Sequence, residues 1–268
     1  MILKDVIELI EEIAPHELAE PWDNSGLQVG NLKQEIKTIF ISLDPTIDSL
    51  KQAINHKAEL LLTHHPLIFK PILNLQPDTY PGNAIKMALE HNISIVCVHT
   101  NLDSAIGGIN DLLAESLNLT NIDILKETPK VKGAGIGRIG DMNVNIDLDT
   151  LLEMIEKIFK VDKLRLVCPH SHRTIKRIAV VGGSGGSFVK SAFEKGADVL
   201  ITGDIGYHDA LNALSYGIIL IDVGHFATES VAYKKFGSNF AFLLKTKGFD
   251  VNVIMSDGSD PFYIKDLR

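Results

Sequence analysis

Cysteine is nearly missing from this 268-residue chain, which carries only Cys97 and Cys168. Two thiols cannot build a disulfide framework, and Cys97 lies inside the apolar run at 93–98. The fold must therefore rest on a core, and a reducing cytoplasm fits best. Long hydrophobic runs are also missing: none approaches the ~20 residues that a membrane span requires. The start, Met1-Ile2-Leu3-Lys4-Asp5, reaches acidic residues before any continuous apolar stretch, unlike a secretory signal. Basic excess is the third absence. With 26 Lys+Arg against 34 Asp+Glu and a net charge of -8, the chain offers no broad cationic face, which makes nucleic acid an unfavoured partner. What is present is apolar material, 45% of the residues, enough for one large domain or two ordinary ones.

The order of patterns favours two domains. Ile2, Val6, Leu9, Ile10 and Ile13 repeat at helical spacing before Pro15. Alternation then sets in: strand 38–43, helix 46–56, strand 60–63, helix 83–91, strand 93–98 and helix 108–118. Strand and helix repeated in this way predict a mostly parallel, helix-covered sheet. Residues 126–149, with glycines at 133, 135, 137 and 140, read as the domain crossing. A second series follows, with helix 151–159, strands 163–167 and 175–181, helix 187–195, strand 199–202, helix 207–216, strand 218–222 and a long helix from about 227 to 247. The last strand, 251–254, is expected to return to the first domain. The expected fold is two α/β domains with mostly parallel sheets, residues 1–128 plus 236–268 forming one and 129–235 the other.

The strongest chemical signal is Leu60-Leu61-Leu62-Thr63-His64-His65-Pro66, an apolar strand that delivers two imidazoles to its carboxyl end and stops at proline. Two further strand ends carry ligand-type residues: His99 and Asp103 in Val98-His99-Thr100-Asn101-Leu102-Asp103, and His225 and Glu229 in Gly224-His225-Phe226-Ala227-Thr228-Glu229. Open α/β sheets bind ligands beyond such ends. His225 and Glu229 are four residues apart at a helix start and can share one face. Taken singly, a strand-end histidine is more often a hydrogen-bonded residue than a ligand, Asp103 a loop residue and Glu229 a first-turn charge. Convergence argues otherwise. His64, His65, Asp103, His225 and Glu229 exceed what one tetrahedral zinc needs and suit two divalent ions ~3.5–4 Å apart that share a carboxylate. Mixed nitrogen and oxygen ligands favour zinc, manganese, iron, cobalt or nickel over calcium.

Around that set, His99 is the candidate for support of the ligands or proton transfer. Asp204 and His208 share helical spacing and offer an acid or base, though Asp204 also suits a helix cap. Asp44 before Pro45 reads as capping chemistry. Gly182-Gly183-Ser184-Gly185-Gly186 reads as a tight turn, with phosphate binding the lesser alternative. Cys168-Pro169-His170-Ser171-His172 is a weaker rival metal cluster and reads as a loop. His16, His56 and His91 sit at helix ends, and Trp22 reads as a loop anchor in preference to a residue that stacks a substrate.

These words also resemble a known family, the GTP cyclohydrolase I type 2 homologues, or Ngg-one-interacting-factor-three-like proteins. The resemblance runs nearly end to end, through Trp22-Asp23-Asn24-Ser25-Gly26-Leu27, Leu43-Asp44-Pro45-Thr46, Thr63-His64-His65-Pro66-Leu67, His99-Thr100-Asn101-Leu102-Asp103 and Gly182-Gly183-Ser184-Gly185-Gly186. It continues in Thr202-Gly203-Asp204 with Tyr207-His208, in Gly224-His225 through Glu229, and in Asp260-Pro261-Phe262. It implies a two-metal centre in the cleft between two α/β domains, with Glu229 as the bridge, and a toroidal homohexamer. The extra middle domain of longer relatives looks absent. A two-metal hydrolase of a small, nucleotide-like substrate is the function expected, cyclohydrolase-like by resemblance. A two-metal phosphoesterase, or a metal-stabilised ring that binds a partner without chemistry, is the alternative.

Overall fold

The computed structural model of the chain describes residues 1–169 and 174–263. In order, the elements of the first half are α1 (Leu3–Ile13), β1 (Gly26–Val29), β2 (Thr38–Ser42), α2 (Ile47–Asn55), β3 (Leu60–Thr63), α3 (Gly82–Glu90), β4 (Ser94–Cys97), α4 (Thr100–Ser104) and α5 (Ile109–Ser116). Then follow β5 (Thr120–Glu127), β6 (Gly135–Ile146), α6 (Leu148–Phe159), β7 (Arg165–Val167), β8 (Ile175–Ser184), α7 (Val189–Glu194), β9 (Val199–Gly203), α8 (Tyr207–Tyr216), β10 (Ile219–Asp222), α9 (His225–Thr246) and β11 (Asn252–Met255). Among the described residues no helix is long and apolar enough to cross a membrane.

The strands form two sheets. One has the order β1-β4-β3-β2-β11, parallel except where β1 meets β4. Its last member is the strand expected to return from the far end of the chain. The other has the order β5-β6-β8-β9-β10-β7. Here the expectation of a mostly parallel sheet fails: only β8-β9 and β9-β10 are parallel, and the other three pairings are antiparallel. The glycine-rich crossing supplies the reason, because it folds as β6 and pairs back on β5. A Cβ on Gly135 would stand 2.2 Å from the Lys126 carbonyl oxygen, so glycine here permits close strand approach rather than a flexible link. The boundary drawn at residue 128 thus falls after β5, a strand of the second sheet.

Strand residues alternate between cores, as a period of two requires. Leu60 and Leu62 enter a central core while Leu61 enters an outer one, and Val199 and Ile201 part from Leu200 in the same way. The central core contains the apolar faces of α1, α5, α6 and α9 and the inner faces of both sheets. Helices α2 and α3 cover the far side of the first sheet; α7 and α8 cover that of the second. All four residues of β3 are buried, which explains its unbroken apolar run. The carboxyl ends of β2, β3 and β4 thereby meet those of β8 and β9 and the start of α9.

Candidate metal centre

His64 and His65 leave the end of β3 in different directions because separate acceptors hold their rings. His64 is fully buried and its Nδ1–H donates to the Val98 carbonyl at 2.9 Å. That bond fixes the tautomer and turns Nε2 inward. His65 donates from Nδ1 to Asp44 Oδ1 at 2.8 Å. His225, at the start of α9, is tied through Nδ1 to Asp204 Oδ2 at 2.6 Å, and His99 through Nδ1 to Asp23 Oδ1 at 2.8 Å. Four imidazoles therefore share one arrangement, an outer nitrogen bound to protein oxygen and an inner nitrogen left for the cluster. This is the pattern by which ligating histidines are oriented and made more basic.

The inner atoms converge on Glu229. Its Oε2 lies 3.1 Å from His65 Nε2 and 3.0 Å from His225 Nε2, and its Oε1 lies 3.5 Å from His64 Nε2. His65 Nε2 and His225 Nε2 are 3.2 Å apart. Asp103 Oδ1, carried by α4, stands 3.6 Å from His64 Nε2. Ligand-type atoms of His65, His225 and Glu229 lie within 4.8 Å of one another, as do those of His64, His65 and His99. Among the described residues, His64 Nε2, Asp103 Oδ1 and Glu229 Oε2 are buried without a hydrogen-bond partner. Buried polar atoms are normally satisfied. Two carboxylate oxygens and the His64 nitrogen left without partners, with further imidazoles facing inward beside them, make a donor set that fits divalent cations.

Electrostatics follow the same geometry. Burial and the nearby Glu229 charge push the Asp103 carboxyl well above its usual range. Glu229 is equally buried, yet the surrounding His64, His225 and His65 imidazoles outweigh that cost and hold it well below the ordinary carboxylate value. Burial opposes charge on His65, but its bond to Asp44 and the adjacent Glu229 carboxylate prevail and raise it to about 10. For His225 the same balance against Glu229 and Asp204 gives about 9. His64, with a carbonyl behind it, is lowered by burial despite Glu229. Without a cation the cluster holds protons in its place.

The glycine segment after β8 makes room for this packing. Gly183 has φ +64°, and a Cβ there would lie 2.2 Å from Glu229 Oε1, so a side chain would displace the Glu229 carboxylate. The amides of Gly182, Gly183 and Gly185 already donate to Asn110 Oδ1, Thr228 Oγ1 and the Gly203 carbonyl. Spent inward in this way, they leave little of the phosphate cradle weighed for this loop.

Other expectations change. Asp44 does not cap α2; Thr46 does, its Oγ1 accepting from the Ser49 amide at 3.0 Å, and the Asp44 carboxylate is free to orient His65. Asp204 sits at φ +53° after β9 and holds His225. Asp23 was not singled out from the sequence. Its buried carboxylate accepts from His99 Nδ1, Ser25 Oγ and the Thr100 amide and hydroxyl, and these bonds outweigh burial and hold it far below the usual range. Each of these aspartates follows or faces a strand end beside a histidine strand, the one signal that could have marked it. His208 is exposed on the first turn of α8 against Tyr207 and belongs to neither three-residue group. Cys97 and Cys168 are free thiols; the rest of the rival cluster, His170 and His172, lies outside the described residues.

Two helix-covered sheets that bring imidazoles and carboxylates together at their strand ends define an α/β protein with a cluster able to hold a metal ion. Residues 1–261 match the family described as Duf34/NIF3 (NGG1p interacting factor 3), and the chain belongs to that family. It is 35% identical to a protein of Clostridium acetobutylicum named GTP cyclohydrolase 1 type 2 homolog, with 98% of each chain covered. A Helicobacter pylori protein named GTP cyclohydrolase 1 type 2 is 40% identical over 85% of this chain and 87% of its own length. Among solved structures, a Bacillus cereus protein related to NIF3 superposes with a TM-score of 0.92 at 25% identity, covering 99% of both chains. Reduced HcgD from Methanocaldococcus jannaschii gives 0.81 at 34% identity over 96% of this chain and 98% of that one.

Proposed function

We propose that the chain is a hydrolase of a small, nucleotide-like substrate that works with two divalent ions, and that its reaction resembles that of the relatives named GTP cyclohydrolase. The observation that carries this reading is the set of three buried, unpartnered ligand atoms, His64 Nε2, Asp103 Oδ1 and Glu229 Oε2, at the meeting point of both sheets. His64 with Asp103, and His65 with His225, would hold the ions, Glu229 being shared. Zinc, manganese, iron, cobalt and nickel all suit these donors. Bound there, such ions would acidify water and polarise the bond to be cleaved.

The protein's own share is positioning and proton handling. Asp44 and Asp204 keep the His65 and His225 rings aimed inward, and Val98 does the same for His64. His99 stands beside the cluster with its outer nitrogen bound to buried Asp23, and we assign it, rather than exposed His208, to proton transfer. A cytoplasmic toroidal hexamer is part of the same proposal, and size-exclusion chromatography with light scattering tests it.

The test of activity is a screen of purified protein loaded in turn with each metal, against GTP and a panel of phosphoesters, with products identified. Ring-opened guanine nucleotide supports the cyclohydrolase reading. Release of phosphate alone makes the enzyme a phosphoesterase. No product from any substrate overturns the hydrolase.

A further inference from the structure

Most exposed aromatic residues on this molecule are scattered, but two are fastened together at the rim of the histidine cluster. Trp22 is 56% exposed and Phe69 51%. Their ring centroids lie 5.8 Å apart with planes tilted by 37°. Both rings approach His99, Trp22 edge-on at 6.0 Å and Phe69 at 6.5 Å. The His99 ring in turn is 5.2 Å from His64 and 5.5 Å from His65.

The loops that carry them are held to one another. Asn24 Nδ2 donates to the Ile68 carbonyl at 2.6 Å, and the Ile68 amide donates to Gln28 Oε1 at 3.1 Å. Asp23, next to Trp22, is bound to His99 and Thr100. Phe69 follows the His64-His65-Pro66 corner closely, so the chain that delivers two inner imidazoles also delivers one wall of the rim. Neither aromatic fills a core. The contacts of Trp22 with Phe69 and His99 stand beside the loop-anchor reading that the sequence context favoured.

We infer that Trp22 and Phe69 form a stacking site for a planar heteroaromatic ring of the substrate, of purine type, with the ring's reacting edge turned toward His99 and the cluster. Aromatic faces stack on nucleobases and set orientation without reading a hydrogen-bond code, and a tilted, exposed pair leaves one face of each ring free. The inference rests on the nucleotide-like reading of the site, to which it adds the part of the substrate that is gripped.

The chain has a single tryptophan, so emission from the metal-loaded full-length protein reports Trp22 alone. Titration with guanosine monophosphate should quench it saturably, whereas ribose 5-phosphate at equal ionic strength should not. Phe69→Ala should weaken the guanosine monophosphate response roughly 10-fold or more, and Phe69→Tyr should restore it. Circular dichroism checks that both variants fold, as exposed positions should allow. The inference is overturned if the two ligands act alike, if Phe69→Ala leaves the response unchanged, or if emission shifts with protein dilution instead, which would make the pair a contact between copies. Quenching without turnover leaves the stacking site standing and removes the hydrolase. Turnover whose KM is unmoved by Phe69→Ala does the reverse.

Discussion

Two of the buried polar clusters among the described residues differ in completeness. Arg138 of β6 is 3% exposed, as is Glu229 of the metal centre, but its guanidinium is fully engaged. Nη1 donates to the carbonyls of Gly135 and Gly137 at 2.8 and 2.9 Å, and Nη2 donates to the Ala105 carbonyl and to Asp111 Oδ2 at 3.3 and 2.8 Å. Nε completes a fork on Asp111. Nothing is left over, and the cluster needs only the protein itself. At His64, Asp103 and Glu229, buried atoms lack partners, which leaves that cluster able to take a ligand. The first ties α5 to the second sheet; the second is arranged for binding.

The comparison predicts opposite responses to the removal of one member. Arg138→Ala strands the Asp111 carboxylate and three carbonyls, and should cost about 3–5 kcal/mol of stability by denaturant unfolding, with metal affinity of the folded fraction unchanged. Glu229→Gln should reverse both outcomes. It keeps the shape of the side chain but removes the charge that holds protons on His65 and His225; those imidazoles can shed the protons, so unfolding of the metal-free protein should shift by less than it does in Arg138→Ala. Metal affinity by calorimetry should fall at least about 100-fold, because the shared ligand is lost. If Glu229→Gln unfolds the metal-free protein as Arg138→Ala does, the two clusters are alike and the contrast fails.

A smaller effect is expected one layer out. Asp44→Asn and Asp204→Asn keep the hydrogen-bond geometry but remove the charge behind His65 and His225, and each should weaken metal binding about 10–100-fold. Asp48→Asn, on exposed α2, serves as the control and should change nothing. Equal affinities for all three variants would show that the outer carboxylates do not tune the imidazoles.

Much of the inner layer was legible before the fold was known, and most of the outer layer was not. His64, His65, Asp103, His225 and Glu229 each stand at or just past an apolar strand, and parallel strands present their carboxyl ends at one edge. The partners Asp23, Asp44 and Asp204 lie 76, 21 and 21 residues from the histidines they hold. No local period encodes such a contact. Asp44 also carries a cap-like context, Pro45 then Thr46, in which the adjacent threonine took the capping role. The same limit hid the antiparallel half of the second sheet. Gly135, Gly137 and Gly140, which read as part of a linker, are there because β5 and β6 approach too closely for side chains, a fact held in the pairing and not in the spacing.

The smallest effect concerns protons, and its sign separates the clusters once more. In the metal-free protein, His65 and His225 are raised to about 10 and about 9 from an ordinary 6.5. The folded state therefore binds their protons more tightly than the unfolded chain, so the stabilisation is complete below pH 6.5 and is lost as pH rises toward 9–10. A cation needs the same nitrogens neutral, so binding at neutral pH must expel protons, and affinity should rise by about tenfold per pH unit for each proton displaced. Metal-free stability and metal affinity should accordingly run in opposite directions between pH 6.5 and 9, as thermal unfolding and calorimetry in buffers of different ionisation heat would record. Asp44→Asn keeps that acceptor but removes the carboxylate charge that helps keep His65 protonated, and should flatten both slopes. The Arg138 cluster offers no such group, since its guanidinium stays charged throughout this range. Affinity that stays level across the interval would mean that the imidazoles are already neutral in the metal-free protein, and that something other than protons satisfies Glu229.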